Sequence, residues 1–209
     1  MEQETARRCH DLLLHLAGRL PDELLWRYRD WLAEGALPVL ARTLPKALLK
    51  HGIDVEGAEY ELLAGALLPH GADRDLVSAA LGVDVVTRTR YTFSENAPEW
   101  MTGVDTVAAV IHATLRGRPD VGEVRQSWRY GSDGEDPDVK RVLLVTALDG
   151  LPRLTAELQR VVRVLGDEVP SVEVASPDFE AGEYHRTALA RSTLLCIGGV
   201  ETGGGAAAA

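Results

Sequence analysis

The stretch EVRQSWRYGSDGEDPDVKRVLLVTA, residues 123–147, decides the fold. In its first third, Val124, Gln126, Trp128 and Tyr130 alternate with Glu123, Arg125, Ser127 and Arg129, the period-two pattern of a strand with one wet face. In its last third, Val142-Leu143-Leu144-Val145 is apolar without alternation, which predicts a central strand buried on both faces. Between them GSDGEDPD, residues 131–138, is acidic and rich in turn formers. A short polar connection between two strands predicts an antiparallel hairpin. The chain is therefore expected to be built around a sheet with this hairpin inside it.

Working outward, Val85, Thr87, Thr89, Tyr91 and Phe93 alternate with Val86, Arg88, Arg90 and Thr92 as another half-buried strand. A loop follows over residues 94–102, with Pro98 and Trp100. Val104, Val107, Ala108, Ile111 and Leu115 mark an amphipathic helix. Beyond the hairpin, Leu154, Leu158, Val161, Val162 and Leu165 mark a second helix ended by Gly166. Residues 171–175 form a strand, 179–191 a helix weakened by Gly182, and 193–197 a last strand. The order β-α-β-β-α-β, then α-β, matches a ferredoxin-like α/β sandwich with an extra C-terminal α-β unit. The competing reading takes residue 139 onward as βαβαβ, half of a doubly wound parallel sheet. The order of strand, hairpin, helix and strand from Val124 to Ala175, with Tyr184-His185-Arg186 beyond it, resembles the C-terminal segment of SseB-type bacterial proteins. The resemblance lies in the order of elements and implies no function here.

Helical signals dominate residues 1–83. Cys9, Leu13, Leu16 and Leu20 share one stripe of a first helix. Pro21-Asp22 opens a second that ends at Gly35. Pro38 begins a third that runs to His51 and is capped by Gly52, with Pro45 inside it predicted to kink or split it. A fourth spans residues 55–68 and a fifth runs from the N-cap Asp73 to Leu81. ALLKHGID and ALLPHGAD, at 47–54 and 66–73, repeat one turn device: an apolar last turn, His, a capping Gly, then Asp. The fold class is thus α+β. An all-α bundle of about five helices spans 1–83, a sheet domain 84–198 and a flexible Gly/Ala tail 199–209.

Composition excludes more than it identifies. A chain that is 45% hydrophobic and 26% charged is globular. Its net charge of −10 is spread over both halves, and no Lys/Arg block supplies the cationic footprint that nucleic acid requires. No membrane segment, signal peptide, metal site or cofactor motif is expected. Two cysteines, Cys9 and Cys196, make no disulfide framework. On the helical wheel Cys9, His10 and His15 diverge, with His10 at the edge of the apolar stripe and His15 on the polar face in an i, i+4 pair with Asp11. The acidic N-terminus predicts a cytoplasmic protein, and 19 arginines against 3 lysines look like GC-rich bacterial coding.

Two surfaces carry functional expectations. The leading one is a non-enzymatic intracellular adaptor or regulatory subunit, binding a protein partner or a second copy of itself. Its candidate contacts are Trp26, on the polar side of its helix, with Arg29, and an open sheet face carrying Arg88, Arg90, Arg125 and Arg129. The alternative is a small enzyme or ligand-binding protein that uses strand ends. There Asp149, Ser176 and Asp178 would meet Tyr184, His185 and Arg186, which supply an acid/base and an anion clamp.

Overall fold

A computed structural model describes residues 2–82, 91–99, 101, 103–131 and 139–199. Among them are eight α-helices and five strands, with helices first and the sheet after. The helices α1 (Glu2–His15), α2 (Asp22–Ala33), α3 (Leu37–Lys50), α4 (Gly57–Leu67) and α5 (Arg74–Ala79) precede any strand. Their ends follow local chemistry. Glu56 and Glu59 form a reciprocal capping box at the start of α4. The Asp73 carboxylate accepts from the Asp75 and Leu76 amides to start α5. The repeated turns are alike in backbone. Gly52 and Gly71 are left-handed, and the amides of Ile53 and Ala72 reach back five residues to Leu48 and Leu67. Pro45 departs from expectation, because α3 runs through it unbroken. Leu44, Pro45 and Leu48 are all buried, so packing outweighs the missing amide bond.

The strands are β1 (Tyr91–Ser94), β2 (Val121–Gly131), β3 (Val139–Ala147), β4 (Ser171–Ala175) and β5 (Thr193–Ile197). They interleave with α6 (Thr106–Leu115), α7 (Leu151–Val164) and α8 (Glu183–Ala190). β2 and β3 form the expected antiparallel hairpin, with Arg125 opposite Leu144 and Tyr130 opposite Val139. β3 pairs β4 in parallel across α7. The remaining pairings differ from both sequence-based topologies. β1 lies directly beside β2 and antiparallel to it, whereas a split βαβ arrangement would place a strand between them. β5 returns to β2 instead of extending the sheet beyond β4, so residues 139–197 are not a doubly wound half either. The sheet is mixed, and β1 and β5 share one edge of β2. β1 pairs with residues 128–131 and β5 with 123–126. Where the two short strands meet, the buried Ser127 hydroxyl donates to the Arg191 carbonyl at 2.6 Å, with the Ser94 carbonyl 3.4 Å away.

Alternation along β3 assigns the two faces. Val142 and Leu144 join Leu12, Leu16, Leu40, Leu44, Leu63 and Tyr184 in a core shared with the N-terminal helices. Leu143, Val145 and Ala147 join Ile111, Leu115, Leu154, Leu158 and Val162 on the other face. Burying each Leu or Val of α7 there contributes about 1.5–3 kcal/mol. Both faces of the sheet are therefore covered, and α2 contacts both β4 and α7. No helix among the described residues is long and apolar enough to cross a membrane.

Candidate ligand cleft

Helix α2 is joined to the sheet by two buried ion pairs of opposite polarity. Arg29 is 1% exposed and grips Glu173 of β4 with both terminal nitrogens, at 2.9 and 2.5 Å. It also donates to the Val172 carbonyl at 2.8 Å. At the start of α2, Asp22 takes Arg129 of β2 and Lys140 of β3. The Arg129 guanidinium lies 4.4 Å from the Tyr91 ring and donates to the Tyr184 hydroxyl at 3.2 Å. Burial raises the Tyr184 pKa to about 12, so the phenol keeps its proton. The helix α1 adds a third link: His10, fully buried, donates from Nε2 to the Val174 carbonyl at 2.7 Å. Burial lowers its pKa to about 4, and its Nδ1 has no partner among the described residues.

Glu173 is the hinge of this arrangement. Burial would raise its pKa, but Arg29 and His185 outweigh burial and hold it at about 2. Its Oε2 also lies 3.1 Å from His185 Nε2. An ionised carboxylate only accepts, so His185 Nε2 carries the hydrogen, and in the neutral ring Nδ1 is then the acceptor. The ring is further held edge-on between Phe179 and Tyr184, at 5.4 and 5.3 Å.

His185 lines a cleft of about 480 Å³. One wall is the end of α1 with its following turn, His15, Gly18 and Arg19. The second is the start of α4, with Glu56 and Glu59. The third is the segment 180–186, and Tyr91 closes one end. Gly18 is required in its wall: its φ is +75°, and a Cβ there would sit 2.4 Å from a Tyr184 ring carbon. Arg19 is bound to Glu59 at 2.6 Å and to the Asp54 carbonyl. Glu180 and Glu183 are exposed and carry no ion pair with a described residue. His15 leaves the polar-face pair expected with Asp11. It is half-buried against the Phe179 ring at 4.9 Å, and burial lowers its pKa. His10 is likewise inside the core and not at its edge, because β4 covers that side of α1.

The structure divides the candidate residues unevenly. Tyr184, His185 and Arg186 line the cleft, while Asp149 and Asp178 do not. Asp149 accepts from the Gly150 amide at 2.7 Å as a turn residue. Ser176 and Asp178 bind Arg7, with both Asp178 oxygens at 2.9 Å. Of the partner set, Arg29 and Arg129 are not open to solvent. Both are buried in ion pairs, because α2 covers the sheet face that alternation left open. Arg125 is tied to Glu123 and to the Ser192 hydroxyl. Trp26 is half-buried, with the Arg163 guanidinium of α7 stacked 4.1 Å from its ring. Arg88 and Arg90 lie outside the described residues.

Sequence reasoning missed Glu173, Arg19 and the α4 wall. Glu173 had one signal: a lone carboxylate flanked by valines inside a five-residue strand. A comparison with protein-family models, with curated proteins and with solved structures finds no match, so the functional reading rests on this geometry.

Proposed function

We propose that the chain is a small-ligand-binding protein whose site is the cleft between the end of α1, the start of α4 and residues 180–186. One observation carries this reading. His185 is held through Nε2 by Glu173, itself fixed by Arg29, while its Nδ1 has no hydrogen-bond partner among the described residues and its side chain lines a cleft of about 480 Å³. The same geometry would let Nδ1 act as a base toward a bound molecule.

Amide NMR of the whole chain against a metabolite library tests the proposal. Binders should move the resonances of residues 15–19, 56–59 and 180–186. Gly182 lines the cleft, and a Cβ at this position meets nothing within 4 Å. Gly182→Phe should therefore fold normally and block the site. A library without cleft binders, or binders indifferent to Gly182→Phe, would overturn the proposal.

The adaptor reading keeps one supporting observation. Leu194 and Ile197 of β5 are each 47% exposed on an edge strand, a place where a partner strand can add. Leu194→Lys with Ile197→Lys would abolish such pairing, and retained partner capture by that variant would exclude it.

A further inference from the structure

Resting on the cleft as a ligand site, we infer that its ligand class is a small aliphatic amine, bound as the ammonium ion. The first ground is charge. The cleft is lined by the carboxylates of Glu56, Glu59, Glu180 and Glu183 against the guanidiniums of Arg19 and Arg186. Arg19 is already committed to Glu59, whereas Glu180, Glu183 and Arg186 are exposed and without ion pairs among the described residues, Arg186 donating to the Ala181 carbonyl at 2.9 Å, so two free carboxylates stand against one guanidinium. The charge open to a ligand is therefore negative, in a chain whose net charge is −10.

The second ground is hydrogen-bond polarity, and it is independent of the first. His185 is 4% exposed, and with Nε2–H given to Glu173 its Nδ1 can only accept while the ring is neutral. An acceptor on the wall calls for a donor on the ligand. A protonated amine is a donor with no acceptor capacity, so it matches both kinds of acceptor that the cleft offers, Nδ1 and the carboxylates. An anionic group offers the reverse and would face unpaired carboxylates. Tyr91 and Tyr184 add ring surface suited to the methylene part of such a ligand.

The test uses three probes of equal length on the whole chain: 1,6-diaminohexane, 1,6-hexanediol and adipate, each titrated by amide NMR. The diamine should shift residues 15–19 and 180–186, and the diol and adipate should not. Glu180→Gln with Glu183→Gln changes two exposed side chains and should weaken the diamine about thirtyfold, from roughly 1 kcal/mol for each of the two screened charges. His185→Gln tests the acceptor and should weaken it further. If that variant fails to fold, the Glu-to-Gln pair and Gly182→Phe still decide the matter. Equal or tighter binding of the diol or adipate, no shift with any probe, or a diamine indifferent to the double variant overturns the amine assignment. Tighter binding of a blocked lysine-containing heptapeptide would overturn the small-molecule source. The two proposals fail separately. A neutral or anionic ligand excluded by Gly182→Phe refutes the class and keeps the site, whereas cleft resonances that no compound moves refute both.

Discussion

Replacing Arg29 with methionine removes the guanidinium that holds Glu173 ionised inside the protein. The glutamate is 1% exposed and would keep only the His185 contact at 3.1 Å and a Ser171 hydroxyl at 3.5 Å. The Val172 carbonyl would lose its donor as well. Breaking one side of a buried pair costs about 3–5 kcal/mol, because a charge is left without compensation. For a chain of this size that corresponds to a fall in Tm of about 6–20 °C. Urea denaturation at pH 7.5 measures the loss directly. The control is Arg29→Met combined with Glu173→Leu, which removes both charges and fills the space with apolar atoms. That double variant should recover about half the loss or more. A single variant within about 1 kcal/mol of the parent, or a double variant no better than the single, would refute the view that this pair is an uncompensated charge risk in the core.

Three further outcomes follow from the geometry. The pKa of His10 is about 4 when folded against an ordinary 6.5, and that of Glu173 about 2 against 4.5. Both are depressed, so their stabilisation is complete above the unfolded values and is lost on acidification, first between pH 6.5 and 4, then between 4.5 and 2. Urea midpoints measured from pH 7.5 to 4 should fall, and His10→Asn should flatten the upper window. Gly18→Ala should cost about 2–4 kcal/mol, since it adds a Tyr184 clash to left-handed strain, whereas Gly35→Ala, also at φ +75° but in open space, should cost about 1 kcal/mol. Thermal melts of the two, compared directly, isolate the Tyr184 contact. Trp26→Ala should cost about 1–2 kcal/mol through the lost Arg163 stack, and an unchanged melt would show that the stack contributes nothing.

Elements with local signals were legible in the sequence. The hairpin declared itself through alternation before residues 131–138 and an apolar run after them, and Asp73 caps the helix it precedes. Alternation also put Arg125 and Arg129 on one strand face correctly, but parity says nothing about what covers a face. Here α2, roughly a hundred residues earlier in the chain, lies over Arg129, so a side chain expected in solvent is 2% exposed. Glu173 and Arg29 are 144 residues apart, and only the folded chain reveals that each is the other's counterion. The half of the candidate site on Tyr184-His185-Arg186 was legible as a cluster of chemistry-bearing residues. The half on Arg19 and Glu59 was not, because a helix cap and a turn residue carry no sign that they form a wall.

The joint at Ser127 has a consequence for biosynthesis. β1 and β5 act as one strand spliced from two distant segments, and the second is the last strand among the described residues. While the protein is being made, residues 123–126 have no partner on that edge until residue 197 has left the ribosome. During that interval the edge can pair with the same segment of a neighbouring nascent chain. Slow emergence of the C-terminal segment, or early termination before residue 193, should therefore expose a self-pairing edge that the finished protein never shows. Ribosome-arrested chains ending before and after β5 should differ in aggregation for this reason alone.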